Sequence, residues 1–328
     1  MFTMRFDLRA PAIGAPAPQL YQTALEMAAW GESRGCLAVT VCEHHSSPDG
    51  YLPAPLTLCA ALAARTTTLP IFVAALVLPL YDPIRLAEQM VVLDILSNGR
   101  ISYVAAVGYR PAEYELFGVD FARRGKIAEE KLRLLLRAKS GEPFEHEGRL
   151  LQVTPRPVTA GGPTVFWGGA SAVAARRAGR HGLGFFAQKA APGLQQAYEQ
   201  AAQAAGHQPG FAFLPPPDLP TTVFVAEDVD RAWAEIGPHL LHDAVSYASW
   251  NEADQRTDTT TASLSFATTV DELRAENRSH RVMTVEEAVE LARGGQTINL
   301  HPLVGGLPPE IAWRYLRIVV DRVMPALA

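Results

Sequence analysis

The segment VCEHHSSPDGYLPAP, residues 41–55, brings Glu43, His44 and His45 to the end of an apolar run and then breaks into a proline-bearing loop. Histidine is the side chain whose charge changes nearest neutral pH, so it suits proton transfer or stabilisation of a reactive anion. Adjacent residues on a strand point to opposite faces, so one of the two imidazoles faces whatever site the strand end borders. A second candidate is Gly168-Gly169-Ala170-Ser171, directly before a helical pattern that begins near Ala172. Free N–H groups at a helix start, glycines that allow close approach and a serine hydroxyl make a seat for phosphate. Arg176 and Arg177 lie in the second turn and could add charge. The same four residues also suit a plain βα turn with an N-cap serine.

Other chemistries fit less well. His44 and His45 are adjacent, which suits a single metal ion poorly, and no His-x-His pattern ends the first strand. His239, His242 and Asp243 have helical spacing but fall inside a helical pattern, away from the strand ends, so no metal is expected. A two-carboxylate glycosidase would draw on Glu113 or Glu115 with Glu227. A sugar cleft wants exposed aromatics, however, and these make up only 8% of the chain, while Asp228 reads as a helix cap beside Glu227. Cys36, Cys42 and Cys59 are too few and too closely grouped for a disulfide framework and read as buried apolar residues.

Positioning these groups falls to a regular alternation. Apolar, β-rich runs occur at 4–8, 35–41, 70–78, 101–108, 163–169, 182–188, 221–227 and 296–301. Helical periods lie between and after them, at 18–33, 55–65, 83–97, 121–140, 171–180, 192–205, 228–243 and 308–323. Pro83 opens the third helix, Asn98-Gly99 closes it, and Asp228 and Ser171 are placed to cap two others. Eight β-then-α units predict an α/β fold, a closed (β/α)8 TIM barrel forming a single domain over 1–328. Two insertions follow strands four and seven: a hairpin and loop at 144–162, and a polar stretch at 249–269 long enough for a mobile lid or a partly disordered loop. In such a barrel the chemistry gathers at the C-terminal strand ends, where the histidines, Ala74-Ala75, Gly108, Arg110 and the Gly-Gly-Ala-Ser turn all fall.

The bulk properties exclude several roles. At 328 residues and 48% hydrophobic, the chain can bury a sizeable core. A net charge of −5 gives no electrostatic reason to bind nucleic acid or an anionic membrane. No apolar run reaches the roughly 18 residues needed to span a bilayer. Residues 1–30 do not read as a signal peptide, so a soluble cytoplasmic protein is expected.

Residues 42–118 carry further motifs in order. They are the Glu-His-His loop, Ala74-Ala75, the turn L-P-x-x-x-P at 78–83, L-A-E-x-x-x-x-L-D-x-L-S-x-G-R at 86–100, and E-x-x-x-F-G at 113–118. In sequence and spacing this stretch resembles the bacterial luciferase-like monooxygenases, and WGGAS (167–171) and NLHPLVGGLPPEIAWRYL (299–316) extend the resemblance. The resemblance implies a flavin enzyme. It would take reduced FMN from a separate flavin reductase and, through a flavin 4a-hydroperoxide, oxidise a small organic substrate. His44 matches the family's acid–base histidine, with His45 beside it as a second catalytic candidate and Glu43 as a cofactor contact. Ala74-Ala75 matches a non-prolyl cis peptide under the flavin ring, and Ser171, with Gly168 and Gly169, matches the phosphate seat. Gly108 falls where the flavin chain must approach. Val107 stands where luciferase has an arginine, so Arg110 is expected to supply that charge, or else to pair with Glu113. Ala106 replaces luciferase's reactive cysteine, which counts against light emission. A deazaflavin-dependent dehydrogenase or reductase is the alternative, and a non-catalytic partner subunit the other; the family's habit implies a homodimer.

Overall fold

A computed structural model describes residues 1–189, 191–216, 219–253 and 265–327. In chain order its elements are β1 (Phe2–Phe6), α1 (Ala17–Glu32), β2 (Cys36–Val41), α2 (Pro55–Arg65), β3 (Ile71–Val77), α3 (Pro83–Ser97), β4 (Ile101–Ala106), α4 (Pro111–Leu116), α5 (Arg124–Ala138), β5 (Phe144–His146), β6 (Arg149–Leu151), β7 (Thr164–Gly169), α6 (Ala172–Arg180), β8 (Gly184–Ala187), α7 (Leu194–Ala204) and β9 (Ala212–Phe213). There follow β10 (Thr222–Val225), α8 (Val229–Ala253), α9 (Val270–Glu276), β11 (His280–Met283), α10 (Val285–Arg293), β12 (Ile298–Leu300) and α11 (Pro309–Ile318). Two compact units are distinguished, Met1–Pro53 with Pro216–Ala328, and Ala54–Pro215.

The first unit carries the parallel strand order β11-β10-β12-β1-β2. Apolar side chains such as Phe2, Met4, Phe6, Val39 and Val41 are buried, as strands covered on both faces require. α1 packs on α11, with Trp30 edge-on to Trp313 at 5.3 Å. The second unit carries the parallel order β3-β4-β7-β8-β9, with α2, α3 and α5 packed in succession and α6 against α7. The register of β3 against β4 slips between Ala74 and Leu76, and the Ala74–Ala75 peptide is cis, as the resemblance implies.

Every strand read from the sequence is present, with ends trimmed or shifted by a few residues. The predicted caps form. Asn98 closes α3 in the left-handed region and Asp228 accepts from the Arg231 N–H; Asp82, which the sequence reading did not single out as a cap, also caps α3 by accepting from the Ile84 and Arg85 N–H groups. The hairpin at 144–151 pairs as β5 and β6. Three features differ. The helix read as 121–140 forms as α5, and a short helix that the sequence reading did not place, α4, precedes it. α8 runs on to Ala253, ten residues past its expected end at 243. The unassigned stretch before β12 folds as α9, β11 and α10, each helix opened by a capping box, Thr269 with Glu272 and Thr284 with Glu287. Of the polar stretch at 249–269 read as a candidate lid, residues 254–264 lie outside the described residues.

Candidate active site

In the first unit the ends of β1, β2 and β12 converge on a buried charged cluster. Arg5, Asp7 and Arg9 share one side of β1 and its exit, because side chains alternate along a strand. His301 leaves β12, and Asp243 comes from α8. The Arg5 Nη2 donates to His301 Nδ1 at 2.9 Å, so the His301 proton sits on Nε2, which lies 3.3 Å from Asp7 Oδ1. Arg9 is fully buried among three carboxylates, with Nη1 2.5 Å from Asp49 and Nε 3.2 Å from Asp7 and 3.5 Å from Asp243. Asp243 also receives His280 Nε2 at 3.0 Å, and Asp49 receives His242 Nε2 at 2.8 Å.

The electrostatics follow from burial and pairing. Burial pushes the Asp7, Asp49 and Asp243 carboxyls up, but the hydrogen bonds from His301, His242 and His280 and the arginine charges outweigh it and hold all three below the usual range. Burial pushes the His301 imidazole down, so it stays neutral at physiological pH. Asp7, Asp243 and His301 bring three possible ligand atoms within 4.8 Å of one another. The two guanidinium groups already sit on these carboxylates, and their charge opposes entry of a cation.

The two histidines after β2 do different things. His45 Nε2 meets Glu43 Oε1 at 2.8 Å, both side chains buried, so this pair shapes the loop from within. His44 is 9% exposed and lies against three aromatic rings. Tyr51 and Trp250 stand 4.8 and 4.7 Å from it between centroids, and Tyr247 stands 6.1 Å away. The same three rings cover the Arg9 guanidinium at 4.6 to 5.1 Å. The Tyr51 and Tyr247 hydroxyls share a hydrogen bond of 3.0 Å. The loop is tied down by Leu52 N–H donating to Asp7 O and His44 N–H donating to Leu52 O. Neighbouring Cys42 is buried, and burial raises its thiol, so it is no ready nucleophile.

Sequence reading had set aside Asp243, His242 and His239 as remote from the strand ends. The structure corrects this. His242 and Asp243 join the cluster at the β1 exit, and His239 Nδ1 donates to Gly305 O at 2.8 Å. Arg5, Asp7, Arg9, Tyr51, Tyr247 and Trp250 were not singled out either. Their signals were a polar period of two in MRFDLR and an i, i+4, i+7 spacing of Asp243, Tyr247 and Trp250. Glu227 pairs with Arg322 on the exposed surface, away from the role a glycosidase would give it.

In the second unit the Gly-Gly-Ala-Ser turn opens α6. Ser171 Oγ accepts from Ala174 N–H at 3.2 Å, which is the cap expected, and the residue itself is exposed. A Cβ on Gly168 would stand 2.9 Å from Val104 Cγ1, and one on Gly169 2.6 Å from the Ala174 Cβ. Bare backbone is therefore required here, beside a helix start whose first N–H groups lack carbonyl partners within the helix. Arg177 does not serve this turn: its Nε donates to Glu129 at 2.8 Å and its Nη2 to Gly125 O at 2.9 Å. Those bonds, with one from His181, outweigh burial and hold Glu129 at about 2. Arg110 pairs with Glu113 at 3.1 Å, the second of the two roles its position allowed. Gly108 has φ +68, and a Cβ there would stand 2.7 Å from Val77 Cγ1, so the strand-four exit is also closed to side chains.

The donor set at 168–171 fits a phosphate-bearing cofactor, and comparison with known proteins points the same way. Residues 4–293 match the family described as luciferase-like monooxygenase. The oxygenase component of a flavin-dependent trigonelline monooxygenase of Acinetobacter baylyi is 29% identical over 155 residues, 45% of this chain and 43% of that one. The chain spans about half the length of the curated relatives it matches. Among solved structures, the monooxygenase RslO1 of Streptomyces bottropensis matches with a TM-score of 0.77 at 23% identity, covering all of both chains. The FMN-bound oxygenating constituent of 3,6-diketocamphane monooxygenase of Pseudomonas putida matches with 0.72 at 18% identity, over 99% of this chain and 98% of that one. An F420-dependent secondary alcohol dehydrogenase matches with 0.65 at 18% identity, over 100% and 99%. These likenesses show the α/β barrel fold expected from the alternating pattern. The match over residues 4–293 shows that the chain belongs to the luciferase-like monooxygenase family.

Proposed function

We propose that this protein is a flavin-dependent monooxygenase that uses reduced FMN and O2 to oxidise a small organic substrate. The observation that carries the reading is His44, an imidazole at a strand exit, nearly dry and enclosed by aromatic rings. Such a group can hold or release a proton close to neutral pH where water would otherwise compete. The bound reduced flavin supplies the electrons that activate oxygen.

The chain's own residues have distinct tasks. Ser171 Oγ and the first N–H groups of α6 would bind the flavin phosphate, while Gly168 and Gly169 let it approach the backbone. The Glu43–His45 pair holds the loop, and His44 would move the proton. Tyr51, Tyr247 and Trp250 exclude water from the imidazole. Arg110, held by Glu113, keeps a fixed positive charge in the second unit. A relative that is an oxygenase component supports delivery of reduced FMN by a separate flavin reductase. We take the working form to be a homodimer in the cytoplasm.

The test is anaerobic titration of the purified protein with reduced FMN and, in parallel, with reduced deazaflavin, followed by oxygen and a panel of small organic substrates. Reduced FMN binding with oxygen uptake matched by substrate oxidation is the expected result. Binding of the deazaflavin alone would replace the reading by a dehydrogenase without oxygen chemistry, and no binding of either would favour a partner subunit.

A further inference from the structure

Asp243, Tyr247 and Trp250 are four and three residues apart on α8 and so lie along one face of it. His239 begins that face and is tied by its Nδ1 to Gly305 O. A Cβ on Gly305 would stand 2.3 Å from His239 O, so helix and loop are in close contact there. Asp243 fixes the middle of the face, because it is completely buried and is held by Arg5, Arg9 and His280 together. Tyr247 and Trp250 then reach His44, and Tyr247 is pinned by its hydroxyl bond to Tyr51.

We propose that Asp243 is a positioning residue for the proton-handling site: it locks α8 against the exit of β1 and the start of β11, so that Tyr247 and Trp250 form the wall that keeps the His44 imidazole in place and dry. A buried aspartate facing two arginines and a histidine has one well-defined position, whereas an aromatic contact alone tolerates sliding. Arg9 links the two halves of the device. Its guanidinium binds Asp243 on one side and lies under the rings of Tyr51, Tyr247 and Trp250 on the other. The role assigned to His44 comes from the proposed function; the packing device does not depend on it.

The test reads His44 directly and needs neither flavin nor turnover. Diethyl pyrocarbonate modifies accessible neutral imidazoles, and fragment-ion mass spectrometry separates His44 from His45. His45 is the internal reference, since it is held by Glu43. In Asp243→Asn, loss of the charged hydrogen bonds is expected to raise the His44 modification rate about tenfold relative to His45. Trp250→Ala, which removes a half-buried ring and not the buried charge, should do the same, and Trp250→Phe should restore protection. Because Trp250→Ala leaves the charged cluster intact, the test stands even where Asp243→Asn fails to fold. An unchanged His44 rate in Trp250→Ala, or equal rises at His44 and His45, would overturn the proposal. Failure of the functional reading would show separately, as absence of reduced flavin binding by a protein whose His44 is protected.

Discussion

Arg9→Met removes one positive charge from among three carboxylates while roughly keeping the side chain's bulk. In the wild type the guanidinium lies 2.5 Å from Asp49, 3.2 Å from Asp7 and 3.5 Å from Asp243, with the side chain fully buried. Removing one partner from a buried ion pair leaves an uncompensated charge and typically costs about 3–5 kcal/mol. That is a large fraction of the roughly 5–15 kcal/mol by which a domain is stable. The cost must depend on pH in a definite direction. Without Arg9, the neighbouring carboxyls lose one of the charges that hold them below the usual range, so their folded-state values rise toward the unfolded one of 3.8. A carboxyl held low in the folded state stabilises it above the unfolded value and loses that contribution as pH falls through the folded one. The deficit of Arg9→Met relative to wild type is therefore largest near neutral pH and shrinks once pH falls below about 4. Urea unfolding of both proteins at neutral pH and in acid below that value reads the difference. A deficit below about 1 kcal/mol at neutral pH, or one that grows on acidification, would refute the view that Arg9 compensates buried carboxylates.

Three further outcomes are expected. His301 has its imidazole lowered from the usual 6.5 by burial, so the unfolded chain binds its proton first and stability falls as pH drops below 6.5. His301→Gln should reduce that slope by up to about 1.4 kcal/mol per pH unit in urea unfolding between pH 6.5 and 5.5, and an unchanged slope would mean that His301 is already charged when folded. Ser171→Ala should weaken FMN about tenfold in a fluorescence titration, by loss of a bond to a charged group, and leave riboflavin, which has no phosphate, unaffected. Equal losses for both flavins would make Ser171 a plain helix cap. Gly169→Val, whose side chain would collide with Ala174 Cβ, should abolish the phosphate preference by displacing the start of α6, an effect read in the same two titrations.

Much of this was legible in the sequence because it rests on local rules. Strands declared themselves as apolar runs, Asn98, Asp228 and Ser171 as caps, and the Gly-Gly-Ala-Ser turn as a place where glycines allow close approach. The second cassette, α9–β11–α10, was also locally marked, by Thr-x-x-Glu at 269–272 and 284–287, but its strand is only HRVM and lacks the apolar run used to find the others. The charged cluster could not be read locally. Arg9 meets Asp49 across 40 positions, and Asp243 meets His280 across 37. What the sequence does hold is the alternation of Arg5, Asp7 and Arg9, since three charges on one side of a buried strand and its exit need partners. The division of labour between His44 and His45 was likewise tertiary: Glu43 is near both in sequence and bonds His45, while His44 is enclosed by Tyr247 and Trp250 from α8.

The central claim is that His44 handles a proton in an oxygenation driven by reduced FMN. The most direct measurement compares wild type and His44→Ala, each saturated with reduced FMN and mixed with oxygen and an oxidisable substrate, following product and hydrogen peroxide together. The variant is expected to bind reduced FMN as the wild type does but to form about 10²–10⁴ times less product per unit time, with the consumed oxygen appearing as peroxide. Product formation by His44→Ala at the wild-type rate, with bound flavin in both, would contradict it.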